Sequence, residues 1–380
     1  MHTYEFKSVD TWFFKQALAP DALSAQEYSS DFPPSARTMI GALRSAIGES
    51  QAVNWAAYRR GDDPAMETMI GRATEAVPPG AFFSGPWISV NQQRYFPAPL
   101  HWPAVRTGNN YDFTRLSPRK DAIHCDLGRI RLPQPEQRLP HKKLVSGLWL
   151  SRRALETLLC SKNESETIAA DQVLHPQDDH VVTEEPRLGI ARNNAARRVI
   201  DGMLYQTRHL RMRADAALEL DCTGWQPPAS VQTQMTFGGE ARLASITQRD
   251  YQPGNCPQWN GSQIPSRFSL TLLTPAHFTS GGWCPDGFSM AGSEAETQFW
   301  EGQIGGISLR LVSAVVGNPL RSGGWNMAQS MARAVVSLAP AGSTYFFETL
   351  EECIPTEQLN RLRLGQHPEL GLGQCALGTW

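Results

Sequence analysis

Apolar and polar positions alternate in short runs along most of this chain, and changes in their period mark out the elements. The opening run YEFKSVDTWFF is rich in β-formers and reads as a strand. In DFPPSARTMIGALRSAIGE the period changes: prolines stand at the start, and Met39, Ile40, Leu43 and Ile47 recur at helical spacing, which predicts an amphipathic helix laid on a sheet. A second helix is expected from about Pro64 to Ala76. GAFFSGPWISVNQQRYFPAPL then alternates again and closes on prolines, as a hairpin running into an extended loop does. SRRALETLLCSKNE has the polar start and apolar spacing of a short capped helix. The second half is strand after strand: GMLYQTRHLRMR, ALELDCTGW, GEARLASITQ, RFSLTLLTPAHF, ISLRLVSAVVG and ARAVVSLAPAGSTYFFE, with EAETQFWEG as the candidate for an interleaved helix. Many strands joined by glycine turns, with few helices, predict an α+β antiparallel fold.

Two stretches fit no period. Residues 115–153 carry ten lysines and arginines against three acids, with prolines that argue against a regular element; they are expected to form an arm or hairpin, or a solvated loop. The polar run from 160 to 186 reads as an excursion. No repeat of 20–50 residues is visible, which disfavours a solenoid.

At 380 residues the chain has room for about two domains. No apolar run is long enough to span a bilayer, and the N-terminus lacks the basic and apolar regions of a secretory signal, so a cytoplasmic protein without membrane association is expected. The seven cysteines form no CxxC pair and the nine histidines no HExxH; neither a disulfide framework, a metal site nor a cofactor is expected. Of the eleven tryptophans, Trp283 and Trp325 follow paired glycines, as loop anchors or partner contacts do.

Charge changes the picture most. The formal net charge is −2, yet the twenty-seven residues from Arg187 to Arg213 hold seven arginines and His209 against Asp201 alone. Guanidinium forks match phosphate oxygens and stack on bases, so this run is either a site for a polyanion, nucleic acid above all, or a solvated basic face. Gly189, Asn193, Asn194 and Gly202 tolerate unusual backbone angles and place the arginines on a loop between ordered segments.

Several motifs in one order resemble a known family: VDTWFF with FPPSARTMIGALRSAIG, GPWISV…YFPAPL, PRLGIARNNAARRVIDGMLYQTRHLR, FGGEARLASI, GWNM…PAGSTYFFE and LGQHPELGLGQCALG. The chain resembles the RAMP-superfamily subunit of the type III-B CRISPR (Cmr) effector complex that holds the 5′ tag of the guide RNA. The resemblance implies two ferredoxin-like, RRM-type domains with long loop insertions, divided here at 1–200 and 201–380. It also implies a non-catalytic subunit that binds the guide RNA (crRNA) 5′ tag, docks on the large polymerase-like subunit and abuts a neighbouring RAMP backbone subunit. The first loop, KQALAPDALSAQEYSSDFPP, is longer than the family's compact one, which leaves Lys15 out of the expected contacts.

A single-stranded tag presents phosphates, 2′-hydroxyls and splayed bases. Arg192, Arg197 and Arg198 are candidates to clamp phosphates or stack, and Asn193 and Asn194 to read base edges. Gly189, Gly238, Gly239, Gly371 and Gly373 are candidates for close main-chain approach, with Arg242 beside the second pair and Arg37 and Arg44 on the first helix. Tight turns explain such glycines equally well. Two rivals stand beside this reading. One is a metal-free ribonuclease processing guide precursors through His101, His124 or His209; the other is a purely structural scaffold.

Overall fold

The computed structural model describes residues 1–17, 27–136, 142–227, 233–252, 256–259, 265–292, 297–327, 329–350 and 362–380. Most of the first long loop and Cys353 lie outside the described residues. Two compact units emerge, and neither is one continuous stretch. The first comprises Met1–Gln92, Gln177–Tyr251 and Arg321–Val336, the second Gln93–Pro176, Gln252–Leu320 and Ser337–Trp380. A single boundary at 200/201 would fall inside the strand Arg198–Met212, whose ladder to Val182–Asn193 begins at the pair Asn193 and Arg198, so no domain ends there.

In the first unit a fully antiparallel sheet runs in the order Phe82–Val90, Ala216–Thr223, His2–Ser8, Leu243–Asp250, Gln234–Thr236. The chain leaves the sheet after His2–Ser8, passes through the helices, and re-enters two places over at Phe82–Val90; Ala216–Thr223 fills the gap. Helix α1, Ala36–Ser50, forms where the sequence predicts it. Ser35 caps it by accepting from Thr38 N at 3.4 Å, and Met39, Ile40, Leu43 and Ile47 are buried on one face, against the sheet. Burying such side chains contributes about 1.5–3 kcal/mol each. Phe237 closes the core from the far edge, 5.1 Å from Phe6 and edge-on to Trp12 and Phe14. The helix expected over 64–76 stops earlier: α2, Trp55–Arg60, is followed by α3, Pro64–Ile70, which ends at Gly71. Gly71 has φ +78, and a β-carbon there would lie 2.9 Å from Pro78 Cα, so close chain return ends the helix.

In the second unit the central sheet runs Ser289–Ala291, Phe299–Ile304, Ile307–Val315, Thr344–Thr349, Arg267–Leu272, Cys375–Thr379. Its last four strands repeat the order of the first unit's main strands: taken by chain position, second, third, first, fourth. One face carries the core of Phe268, Leu270, Leu309, Leu311, Tyr345 and Phe347. Helix α4, Arg152–Cys160, capped by Ser151, lies along Cys375–Thr379 and buries Leu155, Leu158 and Leu159. EAETQFWEG supplies no helix among the described residues: Phe299–Ile304 is a strand, joined to Ile307–Val315 through Gly305 and Gly306 at φ +59 and +82. That is a two-residue hairpin turn, which the GG pair signals. The 115–153 stretch forms small antiparallel pairs, Ser117–Pro118 with Pro133–Gln134 and Ile123–Cys125 with Gly128–Ile130. Within the 160–186 excursion, Ser165–Ala169 pairs with Asn110–Thr114. Among the described residues no helix is long and apolar enough to cross a membrane.

Candidate nucleic-acid interface

The arginine-rich run is a two-stranded ribbon and not the loop expected from its glycines and asparagines. Val182–Asn193 and Arg198–Met212 pair from Val182 opposite Met212 to Asn193 opposite Arg198, and only Asn194–Arg197 remain as the turn. Alternating polar and apolar residues favour extended backbone here, and one irregularity between Ile190 and Arg192 shifts the register near the tip. Asn193 Oδ1 accepts from Ala196 N at 3.0 Å and Arg197 sits at φ +53, so the side chain of Asn193 is engaged in shaping the turn. Gly189 faces Tyr205, and a β-carbon there would overlap the Tyr205 ring. Cross-strand packing thus accounts for this glycine.

The seven arginines divide into two groups. Toward the base, Arg187 and Arg211 share Asp10 and Glu185, Arg208 bridges Glu27 and Glu184, and Arg213 pairs with Asp215. Hydrogen bonds from Arg187 hold the carboxyls of Asp10 and Glu185 below the usual carboxylate range, which keeps the base neutralised. At the tip, Arg192, Arg197 and Arg198 are exposed and have no ion-pair partner among the described residues. Beside them Leu188, Ile190, Val199, Ile200 and Leu204 are exposed as well, with Ile190 directly opposite Leu204. Sequence reasoning missed these exposed aliphatic side chains and the neutralising acids. Their signal was Glu184-Glu185, opposite His209 and Leu210 in the ladder, read as part of a polar excursion.

The other candidates are placed differently. Gly238, at φ +81, lies against Phe13, whose carbonyl a β-carbon would overlap and which accepts from Gly239 N at 2.7 Å; this pair joins two segments of the chain. Arg242 turns to Asp10 at 3.6 Å, at the ribbon base. Arg44 donates to the carbonyls of Glu75 and Arg72 and to the Tyr58 hydroxyl at 2.6–2.8 Å, which fixes α1 to the segment after α3 and leaves it little to offer a ligand. Arg37 is half-buried in the first turn of α1. Lys15 caps the Tyr28 ring at 4.2 Å. Gly371 and Gly373 belong to the second unit, where Gly373 N donates to Pro275 O and a β-carbon would overlap the Leu364 carbonyl.

Of the histidines, His101 is fully buried against Thr344, and burial pushes its pKa down to about 3. His209 stacks on Phe13 and contacts Thr11 Oγ1; burial, then Arg242 and Arg187, lowers it to about 4. Both imidazoles are therefore neutral at neutral pH, and neither is an imidazolium that could serve as a general acid. His124 is exposed on the small hairpin opposite Arg129. For a histidine depressed from about 6.5, the unfolded chain takes up protons that the folded chain refuses, so stability is intact above pH 6.5 and is lost as pH falls toward 4. The melting temperature is therefore expected to drop over this window, and less so in His209→Gln. An equal drop in that variant would show that His209 is not the group responsible.

Among curated proteins no sequence matches this chain. Among solved structures it is similar to a chain in a cryo-EM structure of the type III-B Cmr-beta bound to cognate target RNA and AMPPnP, with 13% identity and a TM-score of 0.46 over 90% of this chain and 86% of that one. It is also similar to a chain in a crystal structure of a Csm3-Csm4 subcomplex of the type III-A CRISPR-Cas interference complex, at 8% identity and a TM-score of 0.40, covering 100% and 99%. The family model for CRISPR-associated protein (Cas_Cmr3) matches residues 4–380, nearly the whole chain, and the protein belongs to that family.

Proposed function

We propose that the protein is the non-catalytic subunit of a type III-B CRISPR effector that binds the 5′ tag of the guide RNA. In this reading it docks on the large polymerase-like subunit and abuts a RAMP backbone subunit. The observation that carries it is the division of the ribbon. Three guanidiniums with no ion-pair partner among the described residues stand at the tip beside exposed aliphatic side chains, while the base arginines are neutralised. Free cations suit phosphates and aliphatic groups suit the faces of unstacked bases, so together they fit a single strand better than a duplex, whose bases are covered.

Two ferredoxin-like units belong to the same proposal. In each, the second strand in chain order is separated from the first by the third, which is the split arrangement of such a fold. The connection between the third and fourth main strands carries no α-helix among the described residues in either unit, only the single 3-10 turn Pro368–Leu370 in the second.

The test is incubation of the purified chain with guide RNA carrying its tag, with and without divalent metal. Retention of intact RNA is expected. Specific cleavage that disappears in His124→Ala, the exposed histidine, would replace this reading by the ribonuclease one. No retention in isolation, with retention only after assembly, would favour the scaffold.

A further inference from the structure

Burial does not separate the arginines at the base of the ribbon from those at its tip. The side chains of Arg208 and Arg211 are 40% and 49% exposed, so solvent, and any polyanion in it, reaches them. Carboxylates are what engage them. Asp10 accepts from Arg187 at 3.3 Å and from Arg211 at 3.1 Å and lies 3.6 Å from Arg242; Glu185 meets Arg187 and Arg211 at 2.7 Å; Glu27 and Glu184 both meet Arg208. These acids come from three places in the first unit. Glu184 and Glu185 belong to the first ribbon strand, Asp10 precedes Thr11–Trp12, which pairs with the second, and Glu27 belongs to Glu27–Tyr28, which pairs with the second strand farther toward the tip. From Arg187 to Arg192 the strand advances roughly 17 Å, and beyond it Arg192, Arg197 and Arg198 have no ion-pair partner among the described residues.

A guanidinium whose donors are taken by a carboxylate has little to offer a phosphate, and the carboxylate repels a second anion approaching the same place. The ribbon is thus positive at its tip and close to neutral at its base. We propose that Asp10, Glu27, Glu184 and Glu185 determine specificity: they end the phosphate-binding surface of the ribbon between Arg187 and Arg192 and so keep the affinity for RNA of arbitrary sequence low. Phosphate contacts carry no sequence information, so every base arginine released from its acid would strengthen binding to all strands alike and dilute the preference for the tag. The same acids hold Arg187, Arg208, Arg211 and Arg242 in fixed places, which lets the base be anchored by arginines without adding to the footprint. This role rests on the reading of the protein as a binder of single-stranded RNA.

The test uses the full chain and two single-stranded RNAs of equal length, one carrying the guide tag and one of mixed sequence without it, each titrated at several salt concentrations. Asp10→Asn combined with Glu185→Gln removes the acids that engage Arg187, Arg211 and Arg242. Its slope of log affinity against log salt should steepen by up to about 2, from about 0.7 for each released arginine, and at low salt the tagless RNA should bind about tenfold more tightly than it binds wild type. The ratio of tagged to tagless affinity should shrink. Glu27→Gln combined with Glu184→Gln releases Arg208 alone, should steepen the slope by about 0.7, and decides the matter if circular dichroism shows the first variant unfolded. The control is Asp62→Asn with Glu67→Gln, which removes the same charge and releases Arg60 and Arg72 at α2 and α3; slope and ratio should stay at the wild-type values. Wild-type slopes in the folded ribbon variants, or an equal steepening in the control, would refute this role for the acids and leave the function proposed above standing. If wild type binds neither RNA, the proposed function fails and the role of the acids fails with it.

Discussion

Replacing Arg192, Arg197 and Arg198 together by alanine is expected to flatten the salt dependence of guide-RNA binding without changing stability. Each phosphate contact to a single strand contributes about 0.7 to the slope of log affinity against log salt, so the triple variant should lose up to about 2. Between 50 and 200 mM salt its affinity should then fall roughly tenfold less than that of wild type. The side chains sit at the ribbon tip, exposed and outside any ion pair among the described residues, so their removal deletes no packing and strands no buried charge. Arg187→Ala is the contrasting variant. It breaks a network with Asp10, Glu185 and, through them, Arg211, and should lower the melting temperature while leaving the slope nearly unchanged. Equal slopes for wild type and the triple variant would show that the tip faces protein or solvent.

The contrast between these arginines was only half legible in the sequence. The run from 187 to 213 announces its charge, and α1 announces itself through Met39, Ile40, Leu43 and Ile47, because in both cases the property lies in neighbouring positions. What neutralises the ribbon base is not local: Asp10 and Glu27 are brought to Arg187 and Arg208 by pairing of Thr11–Trp12 and Glu27–Tyr28 with the second ribbon strand. The same limit explains the domain boundary. A unit assembled from 1–92, 177–251 and 321–336 leaves no single change of composition at its edges. It explains Arg44 too, which reads as a basic helix position until the carbonyls of Arg72 and Glu75 close on it. Helix-to-strand errors such as EAETQFWEG arose from weighing one window against its own propensity, when the deciding signal was the Gly305-Gly306 turn just beyond it.

Gly373→Val is expected to lower stability by about 3–5 kcal/mol, a large share of what a folded domain has. Two costs coincide at this position. The backbone is at φ +68, which a β-branched residue resists, and the new β-carbon would overlap the Leu364 carbonyl. Neither can relax cheaply, since Gly373 N donates to Pro275 O and Gly373 O accepts from Leu364 N, both at 2.8 Å. Loss of RNA binding in this variant would therefore report unfolding. Gly378→Val is no neutral control, although it lies beyond the loop: its β-carbon would meet Leu159 O of α4 at 3.0 Å and Ser269 Oγ at 2.8 Å. Gly371 offers the cleaner experiment. It caps the short turn Pro368–Leu370 at φ +82, a left-handed conformation that asparagine tolerates better than other side chains. Gly371 is buried, so Gly371→Asn should lower the melting temperature less than Gly373→Val does but not leave it untouched, and only a drop in RNA affinity at temperatures where the variant is still folded would place the strand against the tail. If Gly371→Asn binds as wild type does and Gly373→Val merely unfolds, the glycines of the tail are architecture, and the case for RNA contact rests on the first unit alone.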